Sequence, residues 1–250
     1  MTVLRVGGRA TAAFGATAAI VLALGGAASA TPTGSAPVVG SGSALVPRAS
    51  AFTPAGYVSD FSGVPSATLN VQALKVPTIT CRATETSSVY DTTIIFGTTS
   101  GSAFDASAVT IVMSCSGTTP SYIAFGTTDG LNSSNITVNP GDAIQIALIA
   151  SSTFETASFS DTTSGQGTFI DGTGFSAAGA AVQVQGGTGT GHFPRFTAAK
   201  FFGIQLNGKN LGHWTPTAHN QLDATGNTEI AAGPLSVKGN SFADTFVANH

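Results

Sequence analysis

Short alternating runs of apolar and β-branched residues recur along most of the chain. Valine, isoleucine, threonine and phenylalanine dominate these runs, and glycine, proline, asparagine and aspartate separate them. No window repeats apolar residues with the 3.6-residue period of an amphipathic helix, so the pattern predicts strands. The predicted strands are residues 68–74, 92–96, 109–115, 121–125, 135–138, 143–149, 153–159, 167–170, 180–185, 196–206 and 241–247.

Turn signals between these runs indicate how the strands are joined. The sequence Asn139-Pro140-Gly141-Asp142 places proline and glycine at the two central positions of a type II turn, which predicts a hairpin between the flanking runs. Glycines within residues 163–167 predict a second hairpin. Many short strands with closely spaced turns predict one domain, a two-sheet antiparallel β-sandwich.

The first thirty residues have the pattern of a secretory leader. Arg5 and Arg9 precede an apolar run over residues 10–27, and Ala28-Ser29-Ala30 forms a small-x-small cleavage pattern. Residues 1–30 are therefore predicted to be a signal peptide, residues 31–56 a flexible linker rich in Pro, Gly, Ser and Ala, and residues 57–250 the folded domain. We expect a secreted protein without a membrane span after leader removal.

Charge and cysteine content narrow the function classes. Charged residues make up 8% of the chain, against about 25% in an average domain. The chain has 9 basic and 12 acidic residues, and two of the basic ones lie in the leader, which makes nucleic acid an unexpected partner. An oxidising compartment favours a disulfide between Cys81 and Cys115, the alternative being two buried thiols. Two cysteines so far apart do not predict a metal site.

The order of several segments resembles the eqolisin, or glutamic peptidase, family. The resemblance covers roughly residues 76–247. The matching segments are VTIVMSC (109–115), SYIAF (121–125), NITVNPGDAIQIAL (135–148), SDTTSGQGTF (160–169), AAVQVQ (180–185) and FPRFTAAKFFGI (193–204). The resemblance implies a concanavalin-like jelly roll of two large antiparallel sheets, with one concave face that holds an extended peptide in the peptidases.

The family's chemistry implies two catalytic positions that this chain fills differently. In the family a glutamate acts as general base on water, and a glutamine orients that water and stabilises the oxyanion. By motif matching, Val109 stands at the glutamine position and Gln185 at the glutamate position. Valine has no hydrogen-bonding side chain, and a carboxamide does not act as a general base. We therefore assign no catalytic residue and expect an inactive peptidase homologue.

The distribution of carboxylates supports this expectation independently of register. The glutamates are Glu85, Glu155 and Glu229, and none lies between residues 156 and 228. Asp105 and Asp171 are candidate substitutes, but a shorter side chain moves the carboxylate by about 1 Å, enough to cost about 100-fold in rate.

Candidate binding residues are Gln183, Gln185 and Tyr122. The two glutamines alternate with valines, so they face one side of their strand, either as an ordinary solvated face or as a surface that binds a ligand. Tyr122 and Trp214 are candidates for a stacking surface. The histidines lie in Gly- or Thr-rich stretches without a shared register, which predicts exposed loop positions and no metal site.

The sequence therefore predicts a secreted, catalytically inactive eqolisin-like β-sandwich without a cofactor, which binds an extracellular peptide or glycan. An active acid-acting endopeptidase with displaced catalytic residues is one alternative, and a structural cell-envelope protein is another. The sequence does not indicate an oligomeric state.

Overall fold

Antiparallel strands form most of the regular structure in the computed structural model. The structure describes residues 54–61, 66–83, 89–92, 96–100, 103–128, 131–177, 179–187, 192–223 and 225–248. These residues fall in one compact unit, Ser41–His250. The predicted leader and nearly all of the predicted linker lie outside the described residues. Within these ranges, no helix is long and apolar enough to cross a bilayer.

Two large sheets and one small sheet account for the described strands. Sheet A contains β1 (Ala55–Asp60), β4 (Val89–Thr92), β5 (Phe96–Ser100), β6 (Ala103–Ser116), β7 (Thr119–Thr128), β8 (Leu131–Asn132), β9 (Ile136–Thr137), β13 (Gly179–Gly186) and β18 (Thr217–His219). Sheet B contains β2 (Ser66–Lys75), β10 (Ala143–Ser151), β11 (Phe154–Asp161), β12 (Gly167–Thr173), β15 (Ala199–Phe202), β16 (Gln205–Leu206), β17 (Lys209–Asn210), β19 (Gln221–Leu222), β20 (Thr228–Ala232) and β21 (Ser241–Phe246). The small sheet pairs β3 (Ile79–Thr80) with β14 (Arg195–Phe196), and Leu211–Trp214 forms a 3-10 helix.

Period-two alternation along the strands creates the core between sheets A and B. In β10, Ile144, Ile146 and Leu148 are buried, whereas the residues between them are half-buried. Ile111 and Met113 of β6 belong to the same cluster from the side of sheet A. Since alternate side chains of a strand point to opposite faces, each sheet has one face on this core and one face away from it. The predicted two-sheet antiparallel sandwich is confirmed.

The two predicted hairpins have different outcomes. β11 pairs antiparallel with β12 around Gly165, which has φ of 75°, as predicted. Gly141 has the positive φ that a type II turn needs, 88°. However, β9 pairs with β7 in sheet A, and β10 pairs with β2 and β11 in sheet B. The hairpin prediction at Asn139–Asp142 is therefore wrong: the turn residues fix local backbone angles, but not the sheet that the next strand joins.

Three other boundaries differ from the prediction. The predicted strand at 196–206 is divided among β14, β15 and β16, and Gly203, with φ of 65°, bends the chain between the last two. The predicted strand at 92–96 contains the end of β4 and the start of β5, and residues 93–95 lie outside the described ranges. β1 begins at Ala55, inside the predicted linker, because Ala55 and Tyr57 pack into the core.

The predicted disulfide between Cys81 and Cys115 is confirmed, with the two Cα atoms 5.6 Å apart. It joins the segment after β3 to the end of β6. The loop that it closes spans 34 residues, which corresponds to about 3 to 4 kcal/mol of stabilisation. The Tyr122 hydroxyl accepts a hydrogen bond from the Ile79 N–H at 2.9 Å, so the small sheet is fixed to sheet A at a second point.

Candidate functional site

Strand β13 carries Gln183 and Gln185 on the face of sheet A that points away from sheet B. Val182 and Val184, which alternate with these glutamines along the strand, belong to the core. The predicted alternation is therefore confirmed. Yet Gln183 is only 2% exposed and Gln185 only 4% exposed. The interpretation of these glutamines as an ordinary solvated face is wrong.

The neighbouring strands extend this surface with small and apolar side chains. Cα pairing connects Gln183 through Thr92 to Thr110, and Gln185 through Tyr90 to Val112. We call this surface the glutamine face. Its members are Ala181, Gln183 and Gln185 of β13, Ala108, Thr110 and Val112 of β6, and Ile123 and Phe125 of β7. The members on β13 and β6 are all at most 8% exposed.

Gly56 of β1 makes the close strand contact beside Gln183 sterically allowed. The two residues are paired in the sheet, and Gly56 has φ of 137°, in a region that other residues rarely adopt. A Cβ atom at this position would lie 2.2 Å from the Val182 carbonyl oxygen and 2.6 Å from the Gln183 Cα. Any larger residue at position 56 would therefore displace the strand that holds the glutamines.

Gln185 presents a buried hydrogen-bond acceptor. Its Oε1 atom is inaccessible to solvent and has no hydrogen-bond partner. A buried carboxamide oxygen left unpaired costs about 1 to 3 kcal/mol, and a ligand that donates an N–H or O–H to it would recover that energy. The glutamine face therefore combines an apolar lining with one unsatisfied polar atom, an arrangement typical of ligand sites.

Val109 lies on the opposite face of sheet A from Gln185. It is fully buried in the core, and its neighbour Thr110 is the β6 residue that lies on the glutamine face. The two positions inferred from the family motifs therefore do not come together in this structure. A register shift of one residue exchanges the two faces of a strand, and motif matching by eye does not fix register to that precision.

The carboxylates that the structure describes lie elsewhere. Glu155 is fully buried on the core side of β11, where its Oε2 accepts a hydrogen bond from the Ser107 hydroxyl. Asp171 lies on β12 at the edge of sheet B and accepts a hydrogen bond from Thr156 at 2.7 Å. Asp60 lies four residues beyond Gly56 along β1, about 13 Å away. Glu85 and the side chain of Asp105 are outside the described residues.

A glutamine and glutamate pair occurs among the described residues, at a position that the sequence did not indicate. Gln221 of β19 donates from Nε2 to Oε2 of Glu229 in β20 at 3.0 Å. The same carboxamide binds the backbone of Gly186, so both of its polar atoms already have partners. No local motif marks Gln221, because its contact with Gly186 joins residues of different sheets.

Tyr122 and Trp214 do not provide a stacking surface beside the glutamines. Tyr122 belongs to the core side of β7, and burial raises the pKa of its hydroxyl while the hydrogen bond from Ile79 opposes that rise. Trp214 donates from its ring nitrogen to the Leu206 carbonyl at 2.9 Å and packs near Phe61. Tyr122 therefore lies on the face of β7 opposite the glutamine face, because the strand alternation turns its side chain into the core.

One of the three described histidines lies on the same side of sheet A as the glutamines. His219, half-buried in β18, pairs with Gly56, which in turn pairs with Gln183, so it is not the exposed loop residue that the sequence predicted. His192 and His213 are exposed. Among the described residues, no group of three His, Cys, Asp or Glu side chains could hold a metal ion.

The fold corresponds to a known class, the β-sandwich of the eqolisin peptidases. Two crystal structures of scytalido-glutamic peptidase, one with a peptide-based transition state analog and one with a transition state analog inhibitor, match with a TM-score of 0.61 at 15% identity. SCP-B, an eqolisin in complex with the tripeptide Ala-Ile-His, matches with a TM-score of 0.57 at 16% identity. Each match covers 78% of this chain and 100% of the other.

No family model matches the chain, and no curated protein matches it. At 15% to 16% identity, the structural matches establish the fold alone. The eqolisin-like fold that the motif order predicted is confirmed.

Proposed function

We propose that this chain is an exported, catalytically inactive relative of the glutamic peptidases that binds an extended peptide on its glutamine face. The observation that carries the proposal is the buried, unpartnered Oε1 of Gln185. A backbone N–H of a bound peptide is the donor that this atom lacks, and binding requires the side chains around Gln185 to move aside, because its Oε1 is inaccessible to solvent in the unliganded protein. The half-buried Ile123 and Phe125 supply apolar surface for peptide side chains on the same face.

The ligand class that we propose is a peptide and not a glycan. Tyr122 and Trp214, the two rings considered for stacking on a sugar, do not lie on this face, because Tyr122 is in the core and Trp214 donates to the Leu206 carbonyl; Phe125 does lie on it and offers apolar surface to either ligand. The solved relatives support the same ligand class, since SCP-B was crystallised with a tripeptide and scytalido-glutamic peptidase with a peptide-based analog.

Inactivity follows from the chemistry of the residues that line the face. Peptide hydrolysis on this fold needs a proton acceptor next to the attacking water, and Gln185 has only a carboxamide to offer. Glu155, Asp171 and Glu229 make contacts away from the glutamine face. His219 lies on the same side of sheet A but is separated from the glutamines by strand β1. Export is supported by the leader-like first thirty residues and by the disulfide, which an oxidising compartment maintains.

The test combines a binding and a turnover measurement on the mature protein. Random dodecapeptides are selected by display, the enriched peptides are synthesised with a fluorescent label, and Kd is measured by fluorescence anisotropy. Gln185→Met keeps the side-chain volume and removes the carboxamide, so it should weaken binding about tenfold or more. Gln145→Met, on the outward face of sheet B, is the matched control and should leave Kd unchanged.

Labelled denatured casein, incubated from pH 2 to 7, should show no turnover. Robust turnover would refute inactivity and favour the active peptidase with displaced residues. The absence of any enriched peptide would refute binding and favour a structural cell-envelope role.

A further inference from the structure

On the side of β1, the end of β13 is bound by a side chain and not by a strand, whereas β4 pairs with it on the other side. The described pairing of β1 with β13 begins at Ala55 opposite Val184, so it stops short of Gly186. At Gly186 the Gln221 carboxamide takes over: its Oε1 accepts from the Gly186 N–H at 2.9 Å and its Nε2 donates to the Gly186 carbonyl at 2.8 Å. A carboxamide has the donor and acceptor of a peptide group, and it reproduces here the two hydrogen bonds of a paired strand residue.

Gln221 reaches this position from the other sheet. It lies on β19 of sheet B, where it pairs with Ile230, and it is 1% exposed. Its contact with Gly186 therefore ties the end of sheet A to the edge of sheet B. Because both partner atoms are backbone atoms, the contact fixes the main chain immediately after Gln185.

Glu229 determines which way the Gln221 carboxamide faces. An ionised carboxylate accepts hydrogen bonds and does not donate them, so the atom that faces Glu229 Oε2 must be Nε2. The remaining atom, Oε1, is then the one that faces the Gly186 N–H. The orientation required for the backbone contact is thus selected by Glu229, eight positions further along the same hairpin.

Gly186 also packs closely against the ring of Phe193. A Cβ atom at position 186 would lie 2.5 Å from the ring of Phe193, which is itself buried and packs edge-to-face on Phe246. Gly186 therefore contacts the Phe193 ring on its core side and the Gln221 carboxamide along its backbone. These two contacts restrict the position of the backbone next to Gln185.

We propose that Gln221 is a positioning residue for the glutamine face: by pairing with Gly186 it holds the Gln185 carboxamide in place, and Glu229 keeps Gln221 in the orientation that does so. The inference rests on the proposed function for its consequence on peptide binding. The arrangement itself is testable without any ligand.

The experiment follows two groups by NMR in 15N-labelled mature protein. These groups are the Gly186 backbone N–H, by hydrogen exchange, and the Gln185 side-chain amide, by its chemical shifts. Gln221→Met should speed exchange at Gly186 about tenfold or more and shift the Gln185 amide signals. Glu229→Gln retains Gln221 and its packing, and should produce smaller changes in the same two signals. Gln166→Met, at an exposed turn position, should change neither.

Peptide affinity provides the readout that a purely structural contact would not move. Gln221→Met should weaken Kd several-fold for the peptides selected against the wild type. Unchanged Gly186 exchange in Gln221→Met would refute the pairing, and faster exchange with unaltered Gln185 signals would refute the positioning role. If the wild type binds no peptide but Gln221→Met still shifts the Gln185 signals, the proposed function fails and the positioning role stands.

Discussion

The two outward faces of the sandwich differ in how they treat polar groups. On sheet B, Thr156 and Ser158 are half-buried and their hydroxyls are paired, with Asp171 at 2.7 Å and with the Ala147 carbonyl at 2.9 Å. On sheet A, the glutamine face is withdrawn from solvent and leaves the Gln185 oxygen unpaired. The outward face of sheet B thus has the properties of an ordinary solvated surface. On the outward face of sheet A, the Gln185 Oε1 lacks a hydrogen-bond donor, and for this reason we propose ligand binding on that face.

Removing the disulfide should have the largest effect and should fall mainly on sheet A. Replacing Cys81 and Cys115 together by serine is expected to lower the free energy of unfolding by about 3 to 4 kcal/mol, because the closed loop no longer restricts the unfolded chain. Urea unfolding measures the loss of global stability, which lowers the protection of all core amides alike. Hydrogen exchange measures the additional loss through local opening, which should fall on β6 and β7 next to the missing crosslink. Amides of β10 and β11 that lose as much protection as those of β6 and β7 would contradict a distinction between the sheets.

Gly56→Ala tests the strand contact that supports the glutamine face. The new Cβ would overlap the Val182 carbonyl, so we expect about 2 to 3 kcal/mol of destabilisation by urea unfolding. Gly117→Ala is the matched control, since Gly117 also has positive φ but open space around it, and it should cost about 1 kcal/mol. Similar costs at both positions would show that backbone strain alone, without the overlap, accounts for the effect.

Gln185→Met should stabilise the protein while it weakens peptide binding. Removing a buried, unpaired acceptor is expected to raise the free energy of unfolding by about 1 kcal/mol. Gln145→Met, on the solvated face of sheet B, should change it by less than about 0.5 kcal/mol. A destabilised Gln185→Met would mean that the Gln185 carboxamide is already paired in the unliganded protein.

The smallest effect concerns acid titration in sheet B. Burial acts to raise the pKa of Asp223, but hydrogen bonds from Asn227 and Thr225 outweigh it and bring the pKa to about 2. A depressed pKa stabilises the fold above the unfolded value of about 3.9, and this contribution is lost as the pH falls through about 2. The urea midpoints of wild type and Asp223→Asn should therefore converge between pH 4 and pH 2. Midpoints that stay parallel would exclude a role for this carboxylate.

Local pattern predicted the strands well because alternation and turn residues act over a few positions. The β11–β12 hairpin and the common face of Gln183 and Gln185 follow from such short-range signals. The burial of these glutamines does not, since it depends on strands from distant parts of the chain. The same limit explains why Val109 was matched to a site on the face opposite its own.

Contacts between sheets were beyond sequence reasoning. Gln221 and Gly186 are 35 residues apart, and the side chain of one binds the backbone of the other. Such a contact produces no periodic pattern in the sequence. The turn at Asn139–Asp142 was recognised correctly as a turn, but the choice of sheet for β10 depends on which apolar face it buries. The sequence thus identified β13 as the strand that carries the candidate residues. Only the strand order showed which side chains lie around its glutamines.

The crossover at Asn139–Asp142 has a consequence for how the chain folds. Because it transfers the chain from one sheet to the other, β6 with β7 and β10 with β11 and β12 form separate neighbourhoods of local contact. Other strand pairs join segments that are far apart in the sequence; for example, Ala55 of β1 pairs with Val184 of β13. Such high contact order places folding in the slow range of milliseconds to seconds or longer, a delay during which the apolar residues of the unpaired strands stay exposed.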